Sequence, residues 1–419
     1  MEIFTKLRGM RDILPGEVGK WQKIEKIFIE MSELFGYREI RIPILESKDL
    51  FVRGIGSSTD IVMKEMYEFK DKKGREVALR PEGTASIVRA YIENQIYNKE
   101  KISRFYYYGP MFRYDRPQKG RYRQFYQFGV EVLGGKSPYF DSEIIFLLNE
   151  TLKKLEIFDI TFLINSLGCK NCKVLYVSNL KNQLIKVSDY LCNDCKVRVE
   201  KNPLRVFDCK NENCKSLLKN IPSIMNYLCK NCKVHFDILV NFLDKNTINY
   251  KVDNCLVRGL DYYTKTVFEV ISERENIAIA GGGRYDDLVN DMGGPYIPAV
   301  GFAVGIDRVV PLVEYKDKEK ERTIYLIFLG EKAKAKGIEI IKKLINMKIN
   351  FETDYEDRKL SEYLRIVDKN KNKWCIILGE NEIEKGVIIL RNMEKGIQEE
   401  VKEDEIVEKI KEKLNVKIS

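Results

Sequence analysis

Residues 103–133 read SRFYYYGPMFRYDRPQKGRYRQFYQFGVEVL, and this stretch decides the fold. Two aromatic-rich segments with a strand pattern flank DRPQKGRY, a loop of proline, glycine and charged residues. The stretch therefore predicts a long antiparallel hairpin with a basic tip.

The second strand of this hairpin has a polar face. Gln127, Gly129 and Glu131 share one face at period two, and the apolar residues between them occupy the other. The amide and the carboxylate offer hydrogen-bond donors and acceptors, and the glycine leaves room for a flat ligand. The pattern predicts a binding surface, with an ordinary solvent-facing sheet face as the alternative.

The hairpin tip is rich in cations. Arg113 ends the first strand, and the loop adds Arg116, Lys119, Arg121 and Arg123. Because a planar guanidinium binds phosphate oxygens in a bidentate manner, the cluster predicts a phosphate site. A solvated basic loop is the alternative.

A carboxylate and a hydroxyl lie two residues apart in LRPEGTASIVRA, residues 79–90. In an extended stretch Glu82 and Thr84 would point the same way and form a receptor for an ammonium group. Thr84 is equally suited to cap the helix that ASIVRAYI begins. The sequence leaves both interpretations open.

Glycines mark two further segments. In AGGGRYDDLV, Gly281 to Gly283 let the backbone approach a ligand closely, with Tyr285 nearby. Gly301, Gly305 and Arg308 follow at i, i+4 and i+7, so we expect them on one helix face that packs closely and turns Arg308 into a site. Close packing with an exposed arginine is the alternative.

The chain has 419 residues, a formal net charge of +9 and one histidine, His235. The length predicts about two to three domains. A single histidine excludes a multi-histidine metal site and argues against acid–base catalysis by imidazole. The basic balance is compatible with a nucleic-acid partner. The sequence contains neither an apolar signal segment nor a run of about 18 apolar residues, so we expect a cytoplasmic protein with no membrane partner.

Residues 165–246 hold eight of the ten cysteines and interrupt a sheet domain. Four short-spaced pairs have the spacing that tetrahedral zinc uses, and eight thiolates would make two sites of four. Buried or loosely paired thiols are the alternative, whereas Cys255 and Cys375 are predicted to be core residues. The proposed ligands are Cys169, Cys172, Cys192, Cys195, Cys209, Cys214, Cys229 and Cys232.

Together these segments resemble the class II aminoacyl-tRNA synthetases, and among them the histidyl-tRNA synthetases, over essentially the whole chain. GYREIRIPILE resembles motif 1, FRYDRPQKGRYRQFYQFGVEVLG motif 2 and PAVGFAVGIDRV motif 3. LVRGLDYYTKTVFE and AGGGRYDDLV are similar to the two segments that distinguish the histidine enzymes. The class I synthetases require HxGH, which a chain with one histidine cannot contain.

The resemblance implies an α+β class II catalytic domain, an antiparallel sheet flanked by helices, over residues 1–321. It further implies a helical Cys-rich insertion at 165–246 and a C-terminal α/β anticodon-binding domain at 322–419. Such enzymes are homodimers in which motif 1 lies at the two-fold interface. They activate L-histidine with ATP and Mg2+ to histidyl-adenylate and then acylate tRNA(His).

The resemblance also implies roles for individual residues. Arg113 would bridge the histidine carboxylate and the α-phosphate, and Arg258 would bind that phosphate from the other side. Arg121 and Arg308 would bind the γ-phosphate, so all four arginines belong to the ATP site. The implied histidine pocket is Glu82, Gly83, Thr84, Arg113, Gln127, Glu131, Arg258, Tyr262, Tyr263 and Tyr285. Arg116 and Gln118 would meet the acceptor end of the tRNA.

Two other functions fit part of the sequence. A catalytically inactive paralogue serves as the regulatory subunit of ATP phosphoribosyltransferase on the same fold, but it typically loses the motif arginines and the anticodon-binding domain. A zinc-dependent nucleic-acid-binding protein would use the cysteine pairs, but it leaves the Gln127–Glu131 strand and RGLDYYT unexplained.

Overall fold

The computed structural model describes residues 3–118, 120–218, 221–315 and 323–414. The chain forms two compact units, Met1–Glu314 and Tyr315–Ser419. Lys119 of the predicted basic tip and the predicted boundary between residues 321 and 322 lie outside the described residues. The domain limits from the sequence therefore stay predictions.

Ten α-helices are described in the first unit, and 3-10 helices connect several of them. In chain order they are α1 (Pro15–Leu34), α2 (Lys48–Ile55), α3 (Thr84–Glu93), α4 (Pro138–Lys154), α5 (Lys170–Lys186), α6 (Asn193–Lys201), α7 (Glu212–Leu218), α8 (Lys230–Lys245), α9 (Leu288–Asp291) and α10 (Ile306–Val309).

The strands of this unit are β1 (Arg38–Glu39), β2 (Leu45–Ser47), β3 (Glu68–Lys70), β4 (Glu76–Leu79), β5 (Ser103–Phe112), β6 (Gln124–Leu133), β7 (Ile160–Ser166), β8 (Tyr250–Val252), β9 (Thr264–Ser272), β10 (Ile277–Arg284) and β11 (Ala299–Gly305). The main sheet has the order β1-β5-β6-β11-β10-β9-β7-β8, and β2-β4-β3 form a small second sheet. The central pairs of the main sheet are antiparallel, and only its two outer pairs are parallel.

The predicted hairpin is confirmed as β5 and β6, paired from Ser103 opposite Leu133 to Phe112 opposite Gln124. Apolar and polar side chains alternate along the middle of β6, so the apolar ones there lie on one face of the hairpin, where α1 covers them. Phe128 and Val130 pack into a core with Phe28 of α1, whose ring centroid lies 4.9 Å from that of Phe128. The opposite face of the sheet carries the polar residues, so the pleat directs Gln127 and Glu131 away from this core.

One expectation about local structure was wrong. Gly301 and Gly305 lie in β11, whereas Arg308 lies in α10, so the three do not share a helix face. The i, i+4, i+7 spacing is common to a helix and to a strand that turns into one, and pairing of β11 with β6 and β10 selected the strand.

The insertion follows β7 and consists of α5 to α8 with intervening 3-10 helices, one of them Pro203–Asp208, before the chain returns through β8. Its apolar residues, among them Leu180 and Val206, join a core that is shared with the sheet domain. The predicted helical, Cys-rich character is confirmed.

The second unit is an α/β domain, as predicted. Its strands are β12 (Ile324–Phe328), β13 (Phe351–Thr353), β14 (Trp374–Leu378), β15 (Val387–Asn392) and β16 (Gln398–Lys402), and its helices are α11 (Glu331–Asn346), α12 (Leu360–Lys369), α13 (Glu380–Lys385) and α14 (Ile406–Leu414). The sheet order is β13-β12-β14-β15-β16. None of the helices in the described part of the chain is long and apolar enough to cross a membrane.

A buried charge network ties the insertion to the catalytic sheet. Asp141 of α4 and Arg284 of β10 are both fully buried, with Arg284 Nε at 3.1 and 3.0 Å from the two carboxylate oxygens. His235 of α8 places Nε2 3.1 Å from Asp141 Oδ1, so the single histidine is a buried helix residue. Burial alone would raise the pKa of Asp141, but the Arg284 guanidinium and the His235 hydrogen bond hold it well below its usual range.

We expect Asp141→Ala to lower the free energy of unfolding by about 3 kcal/mol, because Arg284 would keep a buried charge without its main partner. The carboxyl has a lowered pKa when folded, so its contribution is present above the ordinary aspartate pKa of about 3.9 and is lost as the pH falls below that value. Denaturant unfolding from pH 3 to 8 measures this difference. Asp237→Ala, at an exposed position of α8, is the control. A constant difference down to pH 3, or none at pH 7, would contradict the assignment.

Candidate active site

A cleft of about 990 Å3, its open mouth included, lies on the polar face of the main sheet. Its walls come from the start of α3, the β5–β6 hairpin, the segment before β9, and β10, β11 and α10. Of the predicted site residues it is lined by Glu82, Thr84, Arg113, Arg121, Gln127, Arg258, Tyr262, Tyr263, Tyr285 and Arg308. Residues that are more than 200 positions apart in sequence thus share one site.

Each guanidinium in the cleft is held by the backbone or by a carboxylate. Arg113 donates from Nε to the Pro81 carbonyl at 2.8 Å. Arg308 donates to the carbonyls of Gly120 and Ala278 at 3.3 and 2.6 Å. These neutral carbonyl acceptors orient both arginines without neutralising them.

The remaining two arginines each contact an acid. Arg258 Nη1 lies 2.5 Å from Glu269 Oε1, and Arg121 Nη1 lies 3.2 Å from Asp115 Oδ2. Sequence reasoning missed both acids. The signal for Glu269 was a lone charged residue in the apolar strand segment TVFEVI, on the strand that pairs with the glycine run.

Four arginines and four acidic residues line the cleft, and two of the arginines, Arg113 and Arg308, donate to backbone carbonyls. Burial, followed by the neighbouring Arg121 and Arg113, lowers the pKa of Arg308. Burial likewise lowers the pKa of Arg113, although Glu65 and Glu82 oppose this effect. Like charges this close repel each other unless an anion lies among them, so the arrangement is suited to a polyphosphate.

Gly281 allows Arg258 to lie flat against the sheet. A Cβ at this position would come within 2.3 to 2.7 Å of the Arg258 guanidinium atoms. Any side chain here would displace the guanidinium, so the predicted close approach at the glycine run is made by an arginine of the protein itself. Arg258 Nε is buried and has no hydrogen-bond partner among the described residues, which leaves one donor for a ligand.

Behind the cleft-lining Thr84 and Tyr285 lies a buried carboxyl group, Glu131, which does not itself line the cleft. Glu131, which is 1% exposed, accepts hydrogen bonds from Thr84 Oγ1 at 2.7 Å and from the Tyr285 hydroxyl. Burial raises the pKa of Glu131 to about 8, although both hydrogen bonds lower it. Near neutral pH the carboxyl therefore takes up or releases a proton readily and can pair with a cationic or a neutral ring.

The structure decides between the two interpretations of PEGT. Glu82, rather than Thr84, caps α3, since its carboxylate accepts from the backbone N–H groups of Thr84 and Ala85 at 2.7 and 2.8 Å. Gly83 is the N-cap residue and does not line the cleft. Glu82 and Thr84 still reach the cleft side by side, as an ammonium receptor requires.

Gly129 does not leave room for a ligand, and that expectation was wrong. A Cβ there would come within 2.4 Å of the Tyr107 ring of the paired strand, so the glycine accommodates this tyrosine. Gln127 on the same face does line the cleft, and its buried Oε1 has no hydrogen-bond partner among the described residues. This oxygen is a free acceptor for a ligand N–H.

Arg116 and Gln118 lie outside the cleft. Both are exposed on the loop between β5 and β6, where Gln118 pairs with Arg121 through their backbones. They are therefore separate from the residues that surround the small-molecule site, on a loop at its rim.

The eight insertion cysteines form two groups of four. Cys169, Cys172, Cys229 and Cys232 make cluster 1, and Cys192, Cys195, Cys209 and Cys214 make cluster 2. Within each cluster all sulfur atoms lie within 4.8 Å of one another. The sequence predicted two sites of four cysteines each. It did not predict that the first and last cysteine pairs form one cluster and the two middle pairs form the other. Of the two remaining cysteines, Cys375 is buried as predicted, whereas Cys255 is exposed.

Comparison with known proteins gives one consistent result. A model of the histidyl-tRNA synthetase family matches residues 9–171 and 211–309, and an anticodon-binding domain model matches residues 313–413. The chain is 47% identical to a histidine–tRNA ligase of Thermodesulfovibrio yellowstonii, over 98% of this chain and 99% of that protein. It is 43% identical to a histidine–tRNA ligase of Clostridioides difficile, over 97% and 99% of the two chains.

A solved structure agrees with these relatives. The apo histidyl-tRNA synthetase of S. aureus superposes with a TM-score of 0.82 at 33% identity, covering 98% of this chain and 100% of that chain. The family model matches more than half of the chain, and the two relatives extend over nearly all of it. The chain therefore belongs to the histidyl-tRNA synthetase family.

Proposed function

We propose that the protein activates L-histidine with ATP to histidyl-adenylate, releases pyrophosphate, and transfers the histidyl group to the 3' end of tRNA(His). The observation that supports this most is the convergence of Arg113, Arg258 and Arg308 on one cleft, in which Thr84 and Tyr285 bind the buried Glu131 behind the wall. One wall suits a triphosphate, and the other suits a small zwitterion with a ring.

In the first step the histidine carboxylate attacks the α-phosphate and pyrophosphate leaves. Two anions must approach each other, so cations and positioning supply most of the rate enhancement. Arg113 bridges the carboxylate and the α-phosphate, and Arg258 binds the α-phosphate from the opposite wall through its unpaired Nε. Arg121 and Arg308 bind the γ-phosphate. Mg2+ on the phosphate oxygens would neutralise part of the phosphate charge.

Histidine recognition uses the opposite end of the cleft. Glu82, Thr84 and Gln127 Oε1 bind the ammonium group. Glu131, which lies behind Thr84 and Tyr285, and Tyr263 serve the two ring nitrogens, and Tyr262 and Tyr285 line the ring pocket. An analogue without the ring nitrogens would leave these buried polar groups unpaired, which gives discrimination on the order of 10^4 in a fully built site.

The acylation step requires contact with tRNA outside the cleft. The exposed Arg116 and Gln118 lie on the rim loop, where a strand end entering the cleft would pass. We also propose anticodon binding by the second unit, a homodimer and a cytoplasmic location. Ile44 and Leu45 of the motif 1 segment are 43% and 44% exposed, which is consistent with an interface there.

The regulatory-subunit alternative is disfavoured by what the chain retains. Arg113, Arg258 and Arg308 are all present and directed into one cleft, and the anticodon-binding domain is present. Histidine-dependent exchange of pyrophosphate into ATP distinguishes the enzyme from this alternative, because only adenylate formation supports it.

We expect Arg258→Ala to lower histidine-dependent ATP–pyrophosphate exchange by about 10^3-fold, because an interaction made chiefly in the transition state is lost. Circular dichroism should show an unchanged fold. Arg274→Ala, which removes an exposed arginine paired with Asp159, is the matched control and should keep full activity. Exchange near that of the parent protein in Arg258→Ala would remove the catalytic role of this residue.

We expect a chain that ends after Lys320 to retain ATP–pyrophosphate exchange but to charge tRNA poorly. The exchange site lies wholly within the first unit, whereas the second unit would supply phosphate contacts to the tRNA. The affinity of the full chain for tRNA should fall steeply with salt for the same reason. Undiminished charging by the shortened chain would refute the role of the second unit.

We further propose that the two cysteine clusters each hold a structural Zn2+. A Zn–S bond of about 2.3 Å gives tetrahedral S–S edges of about 3.8 Å. The Cys169–Cys172 and Cys192–Cys209 sulfur pairs lie 3.6 and 3.7 Å apart.

Backbone N–H groups also support thiolates at these sites. Cys229 N donates to Cys172 Sγ at 3.1 Å, and Cys169 N donates to Cys232 Sγ at 3.2 Å. In cluster 2, Cys192 N donates to Cys214 Sγ at 3.3 Å. Amide donors directed at sulfur favour its charged form, which is the form that binds metal.

Elemental analysis of the purified protein should find two zinc ions per chain. Cys255→Ser, which alters an exposed cysteine outside both clusters, should leave this content unchanged. A value well under one zinc per chain would rule out the metal sites and leave the sulfur groups as packed thiols.

A further inference from the structure

The segment between β8 and β9 carries three of the proposed active-site residues, Arg258, Tyr262 and Tyr263. It is a loop without regular structure, so contacts with its neighbours must fix its position. Asp261 lies within this loop but does not line the cleft. Its hydrogen bonds show what holds the loop.

The two carboxylate oxygens of Asp261 bind to different parts of the protein. Oδ1 accepts from Arg205 Nε and Nη2 at 3.1 and 2.7 Å and from Asn202 Nδ2 at 3.0 Å, all from the insertion. Oδ2 accepts from Ser58 Oγ at 3.1 Å, from the segment after α2 in the catalytic core. Asp261 therefore connects the insertion, the active-site loop and the core.

Arg205 is buried and is held in place by its neighbours within the insertion. It lies on the 3-10 helix Pro203–Asp208, is 8% exposed, and also donates to Asp208 Oδ2 at 3.2 Å. Cys209 of cluster 2 follows directly, and the same 3-10 helix packs against α6, which carries Cys195 of that cluster. The cluster thus fixes the backbone that presents this guanidinium.

A second cation reaches the same loop from cluster 1. Lys173 follows Cys172 in α5 and donates from Nζ to the carbonyls of Asp261 and Tyr263 at 3.1 and 3.4 Å. Each four-cysteine cluster therefore has one cation nearby in sequence that binds the loop. Because both clusters have such a cation, we infer that the insertion does more than fold stably: it also holds the active-site loop.

We propose that the metal-bound insertion positions the active-site loop, with Arg205 and Lys173 as positioning residues that act through Asp261. The inference rests on the proposed histidine activation and on the proposed zinc sites. Displacement of Arg258 or the tyrosine pair by about 1 Å is enough to cost a large factor in rate, because the loop must place them against the reacting atoms. Of the four proposed ATP-binding arginines only Arg258 lies on the anchored loop, whereas Arg113, Arg121 and Arg308 lie on other elements.

Arg205→Met tests the anchor in the full-length protein. We expect kcat/KM for histidine in ATP–pyrophosphate exchange to fall at least 10-fold, while KM for ATP changes less than 3-fold and the zinc content stays at two per chain. Arg205→Lys keeps the charge and should recover part of the loss. Lys181→Met removes an insertion lysine that pairs with Glu200 away from the loop, and it should behave like the parent protein.

A double-mutant cycle separates this role from a general loss of stability. Asp261→Asn should give a similar loss, and Arg205→Met combined with Asp261→Asn should be little worse than either change alone, because both remove the same contact. Unaltered histidine kinetics in both single variants, or a uniform loss that Arg205→Lys does not relieve, would overturn the positioning role.

Cys209→Ser tests the link to the metal. Zinc content should fall from two to one per chain, and histidine kcat/KM should fall as in Arg205→Met. Loss of one zinc with unaltered kinetics would overturn the coupling between the cluster and the loop. Absence of zinc from the parent protein would refute the metal sites themselves, and absence of exchange from the parent would refute the proposed function. The failures are therefore distinguishable.

Discussion

The structure depends on holding several guanidinium groups close together before any anion is bound. Arg113 and Arg308 are oriented by neutral backbone carbonyls, whereas Arg258 is oriented by the carboxylate of Glu269. Mutual repulsion is a cost in stability that bound phosphate relieves. The sheet makes this possible because Gly281 lets one guanidinium lie directly against the backbone.

The insertion helps to hold one of these guanidinium groups, that of Arg258, in place. A loop that carries Arg258 must be fixed although it has no regular structure, and the two cations beside the cysteine clusters supply hydrogen bonds to it. Four thiolates around one ion would provide rigidity locally, at both ends of the anchor.

The errors of the sequence interpretation share a cause. Gly129 was expected to leave space for a ligand, yet the ring of Tyr107 on the neighbouring strand fills that space. Gly301, Gly305 and Arg308 were assigned to one helix face, yet the two glycines lie in a strand that pairs with β10. In both cases local periodicity was correct about which residues are special, but the partner that made them so lies elsewhere in the chain.

The sequence alone determined the β5–β6 hairpin, the helical cysteine-rich insertion, the α/β character of the second unit and most cleft residues, because alternation, short cysteine spacings and motifs are local properties. Only the folded structure shows which cysteines share a cluster and that Glu269, Asp261 and Arg205 support the site. These features depend on distances between residues that are far apart in the chain, and such distances exist only once the sheet has assembled.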